Sequence, residues 1–201
     1  MSVISIENVS KTFGKQVILD AVNVEINMGE LVHIVGGNGC GKSTLFKLIC
    51  DILEPDSGSI HLSEEVHLGA LIENPGFIEH STIRTNLKFL GDINHNYNEE
   101  RIVQLCQKFQ LDFHSKQQLK KYSVGMRQKV GIIQAIMEDQ NVILLDEPTR
   151  GLDQDSLGML YHLITDLVKE GKTVLIASHD NLAQLPFSRC LELKNGKMVE
   201  V

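Results

Sequence analysis

The sequence predicts an α/β protein built on a mostly parallel sheet, with an antiparallel β subdomain at the amino terminus and an inserted helical subdomain. Two observations predict this class. Short apolar runs typical of strands buried on both faces alternate with helices that are apolar on one side, and a polar helical stretch interrupts them. The chain has 201 residues, of which 42% are hydrophobic, which is enough for one globular domain with its own core.

The first third of the chain predicts short strands followed by a strand, a loop and a helix. Val22, Val24 and Ile26 alternate with polar residues, which predicts strands between residues 3 and 26, with a turn at Gly14. The apolar run 31–35 predicts a buried strand that ends in a glycine-rich loop. The helix expected next has its apolar residues at helical spacing, namely Leu45, Leu48, Ile49 and Ile52.

The rest of the chain predicts helices and then further buried strands. Residues 81–140 show helical spacing without a strand pattern, whereas the runs 142–145 and 173–177 predict strands buried on both faces, with an amphipathic helix between them. Asn195-Gly196 predicts a closing hairpin. We therefore expect one domain, 1–201, in which 1–80 and 141–201 form the core with its β subdomain and 81–140 form the helical subdomain.

Composition narrows the class of function. A net charge of −7 argues against nucleic acid as a partner, because binding to a phosphate backbone requires a basic face. The four cysteines are scattered without a CxxC pair, which favours reduced thiols in a cytoplasmic protein over disulfides or a metal site. The amino terminus lacks a secretory signal, and no apolar run approaches the roughly 20 residues that span a bilayer. Any membrane role is expected to come through a partner.

A phosphate-binding loop is the strongest motif. Residues 36–44 satisfy the pattern G-x-x-x-x-G-K-[ST] between a predicted strand and a predicted helix, so backbone N–H groups and the helix dipole can converge on phosphate oxygens. Lys42 is expected to reach the β- and γ-phosphates, Ser43 to ligate Mg²⁺, and Thr44 to assist at the α-phosphate. The alternative is a glycine-rich turn without a ligand, which the flanking elements disfavour. The predicted nucleotide-binding residues here are Gly36, Asn38, Gly39, Cys40, Gly41, Lys42, Ser43 and Thr44.

Acidic residues and a histidine follow the later buried strands. Asp146 and Glu147 come at the end of the run 142–145, at the sheet edge where α/β proteins bind ligands. We expect Asp146 in a Mg²⁺ shell opposite Ser43 and Glu147 as a general base for an attacking water. A solvated acidic turn is the alternative. His179 follows the run 173–177 and can donate to a γ-phosphate, while the other seven histidines are interpreted as ordinary surface residues.

These motifs, taken with two further segments, resemble the ATP-binding cassette of ABC transporters over essentially the whole chain. The segment 122–128, Tyr-Ser-Val-Gly-Met-Arg-Gln, resembles the signature of that family, and 151–153, Gly-Leu-Asp, resembles its D-loop. The signature distinguishes this family from other nucleoside triphosphatases, because unrelated members of that class share the phosphate loop and the acidic strand end. The same segment also predicts a helix that begins after Ser123 as N-cap, and both interpretations can hold together.

The resemblance implies a P-loop NTPase core of RecA-like fold with ATP and Mg²⁺ as cofactors. It implies that Ser123, Gly125 and Asp153 contribute to nucleotide binding, with Ser123 and Gly125 facing the ATP of a second ATP-binding subunit. That subunit is expected to be an identical chain joined head to tail. Integral membrane permease subunits are the other implied partners, and they would place the chain peripherally at the inner face of the cell membrane.

Two further positions draw their roles from the resemblance. Phe13 stands where the family places an aromatic ring that stacks on adenine, with core packing as the alternative. Glu73 stands where the family has the glutamine of its Q-loop, and we expect it to act in catalysis and to ligate Mg²⁺ better than an amide does. A loop glutamate that faces solvent is the alternative. The surface from Glu73 onward, with Phe77 and Arg84, is the implied contact with a membrane subunit.

Small differences from the usual motifs of the family indicate a subgroup and, with it, the expected function. Glu73, together with Tyr122 and Met126 in the signature, resembles the cassettes that serve bacitracin resistance and lantibiotic immunity or export. The expected function is ATP hydrolysis that couples dimerisation to transport by separate membrane subunits. The alternatives are an ABC-type ATPase outside transport and a regulatory module that binds nucleotide without hydrolysis.

Overall fold

The computed structural model describes residues 1–180 and 182–201, which contain nine strands and five α-helices. The strands are β1 (Ser2–Phe13), β2 (Gln16–Asn27), β3 (Leu31–Val35), β4 (Ser57–Leu62), β5 (Leu68–Leu71), β6 (Val142–Asp146), β7 (Thr173–Ser178), β8 (Arg189–Lys194) and β9 (Lys197–Glu200). The α-helices are α1 (Lys42–Ile49), α2 (Ile83–Ile93), α3 (Glu99–Lys108), α4 (Val124–Ile136) and α5 (Gln154–Lys169).

A six-stranded sheet forms the centre of the molecule in the order β5-β6-β7-β3-β8-β9. All neighbouring strands in it are parallel except β8 and β9, which pair antiparallel. Parallel strands end at the same edge of a sheet, so the loops after β5, β6, β7 and β3 leave the sheet side by side. The predicted mostly parallel sheet is confirmed.

The central strands are buried on both faces because their side chains alternate between two cores. Ile143 and Leu145 of β6 pack in one core with helices α2 to α5. Val142 and Leu144 pack in the other, with α1 and the antiparallel strands. Burial on both sides explains why these strands read as continuous apolar runs in the sequence.

A second, three-stranded antiparallel sheet has the order β2-β1-β4. It contains the two strands predicted between residues 3 and 26, and Gly14 lies in their turn with φ +61°. Strand β4 was not predicted, because it is short and its residues are exposed or half-buried. The four-residue strand β5 was not predicted either. Neither strand is long enough to show an alternating pattern.

Helices α2, α3 and α4 lie between β5 and β6 in the chain, as the pattern of residues 81–140 predicts. They are held by a shared apolar core, and the bounds of the predicted helical subdomain remain a prediction. None of the helices in the described part of the chain combines the length and apolar character needed to cross a membrane. The four cysteines are free thiols, as predicted.

Two local predictions have different outcomes. The hairpin at Asn195-Gly196 is confirmed, with φ of +50° and +76°, as a tight turn between β8 and β9 requires. The extension of α1 to Ile52 was wrong. The helix ends at Ile49, the left-handed Asp51 (φ +56°) turns the chain, and Ile52 is 62% exposed.

Gly69 allows β5 to lie directly against α4. A Cβ atom at this position would overlap the carbonyl oxygen of Ala135 and lie 2.9 Å from the side chain of Gln140. Gly69→Ala is therefore expected to lower the free energy of unfolding by about 2 kcal/mol or more, because backbone on a packed helix cannot give way. Urea denaturation monitored by circular dichroism measures the free energy of unfolding of both proteins.

Gly158→Ala is the matched control. Gly158 lies inside α5 with no atom within 4 Å of a Cβ at this position. Removing a glycine from an open helix position is expected to raise stability by about 0.5–1 kcal/mol. Equal stability of the wild type and Gly69→Ala would contradict the close packing of β5 on α4.

Candidate functional site

A cavity of about 290 Å³ lies at the carboxyl edge of the parallel sheet. The phosphate loop follows β3, His179 follows β7, and Asp146 and Glu147 lie at the end of β6. Glu73 comes two residues after β5. Because β5, β6, β7 and β3 are adjacent, side chains far apart in the sequence meet at one edge. The cavity is lined by Ile18, Asn38, Gly39, residues 41–44, Glu73, Asp146 and Glu147.

Helix α1 begins at the cavity without a side-chain cap. Its N-cap residue is Gly41, with φ +114°, whereas α2, α3, α4 and α5 each have a capping side chain. The first N–H groups of α1 are therefore left for another acceptor, and the helix dipole favours an anion there. Gly41 is also sterically required, since a Cβ would lie 2.8 Å from the side chain of Ile18.

The Lys42 ammonium is held inside the phosphate loop. It donates to the carbonyl oxygens of Gly36 at 2.7 Å and Gly37 at 3.4 Å, and it lies 3.7 Å from Oε1 of Glu147. The side chain is 6% exposed. A buried cation among carbonyl groups and one carboxylate is suited to bind a negatively charged group in the adjoining cavity.

Ser43 and Asp146 connect the phosphate loop to β6. The Ser43 hydroxyl donates to Oδ2 of Asp146 at 2.5 Å, while Oδ1 is buried without a hydrogen-bond partner. Burial raises the pKa of Asp146 above its usual range, although the Ser43 hydrogen bond and the nearby backbone N–H of Glu73 oppose this. A buried carboxylate oxygen without a partner is unfavourable unless a ligand pairs with it.

The donor set fits a hard divalent cation that is also bound by phosphate. A hydroxyl and a carboxylate oxygen are the kind of ligands that Mg²⁺ takes, with phosphates and water completing its shell. Residues 1–180 and 182–201 contain no cluster of three histidine, cysteine or acidic side chains that could hold a metal by themselves. The residues therefore fit Mg²⁺ bound together with a nucleotide better than a metal held by protein alone.

The backbone of Glu147 is fixed in an unusual conformation. Its φ is +47°, which costs a residue with a Cβ about 1–2 kcal/mol. Three hydrogen bonds hold it: its N–H donates to Ala177 at 2.8 Å, and its carbonyl accepts from the Gln128 side chain at 3.0 Å and from the Arg150 N–H at 3.1 Å. The sequence analysis missed Gln128, although it lies in the signature segment.

His179 pairs with the carboxylate of Glu147. The distance from Nδ1 to Oε1 is 3.0 Å, and Nε2 lies 3.5 Å from Asp180. The hydrogen bond to Glu147 raises the pKa of His179 above its ordinary value, with a smaller contribution from Asp180. The imidazole is 52% exposed and thus remains open to a ligand.

His33 was wrongly interpreted as a surface residue. It lies on β3 and is 7% exposed, its ring stacks on Phe187 at 4.5 Å, and Nε2 lies 3.1 Å from the Ser178 hydroxyl. Burial lowers the pKa of His33. Because the Ser178 hydroxyl also donates to the Asp180 carbonyl at 3.3 Å, it can accept from His33 and fix the backbone on both sides of His179.

Glu73 lies in the cavity wall with a left-handed backbone, φ +53°. Its carboxylate pairs with Lys47 of α1 at 2.7 Å and is 56% exposed. The exposed side chain agrees with the alternative of a solvent-facing loop residue, and its ion pair also holds it toward the helix that begins at the phosphate loop. Its predicted roles in catalysis and in Mg²⁺ binding remain predictions.

Other predicted residues lie outside the cavity lining. Gly36 and Cys40 lie against each other within the loop, since a Cβ on Gly36 would lie 2.6 Å from the Cys40 sulfur. The Phe13 ring is 48% exposed at the end of β1, with the Lys11 ammonium 5.7 Å from its centre. It lies in the open rather than in a core.

Ser123 and Gly125 of the signature and Asp153 of the D-loop are not among the residues that line this cavity. Ser123 is exposed and caps α4 by accepting from the Met126 N–H at 3.2 Å, as predicted. A Cβ on Gly125 would overlap the carbonyl oxygen of Gly151, so the signature and the D-loop are in direct contact. Asp153 caps α5 by accepting from Ser156 at 2.8 Å.

The predicted contact surface needs one correction. Phe77 was wrong as a surface residue, because it is 9% exposed and lies beneath Arg127, whose guanidinium is 5.4 Å from the ring centre. Arg84 is exposed and pairs with Glu99 at 3.2 Å.

Known proteins resemble the chain in sequence and structure. The family model described as ABC transporter matches residues 19–150. An uncharacterized ABC transporter ATP-binding protein of Bacillus subtilis (strain 168), YdbJ, is 34% identical over 188 residues, and the match covers 88% of this chain but only 61% of YdbJ. The lantibiotic transport ATP-binding protein SrtF of Streptococcus pyogenes is 32% identical over 183 residues, covering 88% of this chain and 80% of SrtF.

The fold has a close counterpart. A solved structure described as the ATP-binding subunit of an ABC transporter superimposes with a TM-score of 0.87, covering 99% of this chain and 89% of that chain at 24% identity. This confirms the predicted fold class. Other relatives are named bacitracin transport ATP-binding proteins, which confirms the resemblance to the bacitracin and lantibiotic subgroup.

The ion pair between His179 and Glu147 predicts how His179 titrates. Its pKa is expected to lie above 6.5 in the wild type and to fall toward 6.5 in Glu147→Gln, which keeps the shape but loses the charge. The stabilisation from this pair is fully present below the unfolded-chain pKa and is lost as pH rises through the higher folded value. NMR titration of the histidine ring signals measures both variants.

Asp180→Asn is the matched control for that titration, since Asp180 contributes less to the shift. It is expected to lower the pKa of His179 by a smaller amount than Glu147→Gln does. An unchanged pKa in Glu147→Gln would contradict the contact between His179 and Glu147.

Proposed function

The chain belongs to the ABC transporter family, as one of its ATP-binding subunits, and we propose that it hydrolyses ATP to drive transport by separate membrane subunits. The observation that carries this proposal is the convergence of the uncapped α1, Asp146, Glu147 and His179 at one edge of the sheet. Each group supplies a different requirement of phosphoryl transfer. The start of α1, Asp146 and Glu147 line one cavity, and His179 contacts Glu147 beside it.

The phosphate loop binds the triphosphate of ATP in this proposal. The free N–H groups at the start of α1 donate to phosphate oxygens, and Lys42 exchanges its carbonyl partners in the loop for the β- and γ-phosphates. Thr44 and Asn38 line the same cavity. Phe13, with an exposed ring, stacks on the adenine.

Ser43 and Asp146 are the residues that would hold Mg²⁺ in this proposal. The unpartnered Oδ1 of Asp146 supports this assignment. Glu73, whose Oε1 pairs with Lys47, would offer its other carboxylate oxygen from the wall of the same cavity. When bound, Mg²⁺ supplies a Lewis acid that neutralises charge on the β- and γ-phosphates. The protein contributes the orientation, since Ser43 and Asp146 are already hydrogen-bonded to each other.

Glu147 acts as the general base. A water placed between Glu147 and the γ-phosphorus donates its proton to the carboxylate as its oxygen attacks, and the bond from the γ-phosphorus to the ADP oxygen breaks. The products are ADP and inorganic phosphate. His179 orients the carboxylate through Oε1 and can then donate to the γ-phosphate, while Gln128 fixes the backbone from the signature helix.

A second copy of the chain completes the site in this proposal. Ser123 is exposed at the start of α4 and lies outside the cavity of its own chain, as do Gly125 and Asp153. The start of α4 offers N–H groups to the γ-phosphate of ATP bound by the partner. A head-to-tail homodimer brings both signatures to both sites with one two-fold axis.

The membrane partners and the cargo are assigned by similarity. Relatives named as lantibiotic and bacitracin transport ATP-binding proteins support integral permease subunits as partners and a peptide antibiotic as cargo, for export or immunity. In this proposal the chain works in the cytoplasm, bound to the inner face of the membrane through those subunits. The helical subdomain proposed at 81–140 contains the signature and the exposed Arg84.

Glu147→Gln tests the catalytic assignment. The variant is expected to bind ATP with Mg²⁺ as the wild type does, while its turnover falls at least about a hundredfold because the base is lost. It is also expected to elute as a dimer with ATP and as a monomer with ADP. Phosphate release and size-exclusion chromatography measure these properties, and full turnover would exclude Glu147 as the base.

Adding Ser123→Arg to that variant provides the control for dimerisation. Ser123 is exposed, so a large cation at this position blocks the approach of the partner and leaves the chain's own ATP site intact. Loss of the α4 cap costs about 1 kcal/mol, which circular dichroism of the double variant checks. The double variant is expected to bind ATP and remain monomeric. A dimer that forms as readily as in Glu147→Gln alone would overturn the head-to-tail arrangement.

A further inference from the structure

An ion pair connects the loop after β5 to the helix that begins at the phosphate loop. The Lys47 ammonium lies 2.7 Å from Oε1 of Glu73. Lys47 follows Ser43 by four residues on α1, so the two side chains lie on the same face of the helix. Long helical side chains lean toward the amino terminus, and Lys47 therefore extends from the end of α1 back toward the cavity.

Glu73 places a third carboxylate where two are already present. Glu73, Asp146 and Glu147 line the same end of the cavity, and ATP would add further negative charge there. Lys42 lies 3.7 Å from Glu147 and already bonds the carbonyl groups of the loop. Within residues 1–180 and 182–201, Lys47 is the only cation in ion-pair contact with Glu73.

Arg150 is the other basic residue at this end of the cavity. It lines the adjoining pocket together with Glu73 and Glu147, and its guanidinium lies 3.5 Å from the side-chain oxygen of Asn74. Its partner is therefore an amide rather than the Glu73 carboxylate. The charge of Glu73 is offset in direct contact by Lys47 alone among the described groups.

We propose that Lys47 is a positioning residue of the nucleotide site. Its ammonium holds the Glu73 carboxylate in the cavity wall and offsets its negative charge, so that the γ-phosphate of ATP can bind next to it. This inference rests on the proposed function, because it requires ATP in this cavity. It also gives a physical reason why a glutamate is tolerated at a position next to phosphate.

A purely structural role for Lys47 makes a different prediction. Lys47 lies in the last turn of α1, where a cation stabilises the negative end of the helix dipole, and its carbonyl accepts from Ile52 at 2.9 Å. Such a role depends on the charge of Lys47 but not on Glu73. The two roles are therefore separated by measuring the effect of Lys47 with and without the Glu73 charge.

The experiment is isothermal titration calorimetry of ATP and of ADP, each with Mg²⁺, on the purified chain. Lys47→Met is expected to weaken ATP binding about threefold to fivefold, as for a partly exposed ion pair, and ADP binding less than about twofold because ADP lacks the γ-phosphate. In the Glu73→Gln background, Lys47→Met is expected to change ATP binding by less than about 1.5-fold. Lys47→Arg keeps the charge and should restore wild-type binding.

Lys88→Met is the matched control. It removes an exposed ion pair of similar length, Lys88 to Asp92 at 2.8 Å on α2, and is expected to leave binding unchanged. Lys47→Gln serves as a second neutral variant if Lys47→Met does not fold. Equal weakening in both Glu73 backgrounds, or no weakening of ATP binding, would overturn this inference alone. A wild-type chain that binds neither nucleotide would overturn the proposed function together with it.

Discussion

The hydrogen bond between Ser43 and Asp146 is the constraint on which the site depends. It joins the first turn of α1 to the end of β6, although β7 separates β6 from β3, the strand that leads into α1. The bond uses one oxygen of a buried carboxylate and leaves the other without a partner. Burying such a group costs free energy that a bound cation and its phosphates would recover. The arrangement is therefore consistent with the ligand binding that we propose for this edge of the sheet.

The sheet order distributes the remaining functions over neighbouring strands. Glu73 and Glu147 follow β5 and β6 and both have a left-handed backbone, a conformation that a residue with a Cβ adopts only when its surroundings impose it. For Glu147 those surroundings are β7 and the Gln128 side chain of the signature helix. The backbone of Glu147, the proposed general base, is thus held from the same helix whose first turn is proposed to face the partner's ATP.

The sequence predicted the residues whose roles are local and missed those whose roles depend on distant contacts. Buried apolar runs directly precede the phosphate loop, Asp146, Glu147 and His179. One short stretch of sequence therefore predicts both the strand and the functional residue at its end. Lys47 and His33 act through partners 26 and 145 positions away, which no local pattern encodes. Phe77 is predicted at the surface because it lies in a loop, but it is buried. Ile52 is predicted within α1 because the apolar spacing of the helix continues beyond its actual end at Ile49. The short strands β4 and β5 show too little pattern to be predicted.

The assignment of Ser43 and Asp146 as the Mg²⁺ and ATP site is tested by the Mg²⁺ dependence of ATP binding in Asp146→Asn. This variant keeps the hydrogen-bond acceptor for Ser43 but loses the carboxylate. We predict that the wild type binds ATP at least about tenfold more tightly with Mg²⁺ than with a chelator. The variant should bind ATP in chelator at least as tightly as the wild type and should lose the Mg²⁺ enhancement. Retention of the full enhancement in Asp146→Asn would contradict the assignment of this edge of the sheet as the Mg²⁺ and ATP site.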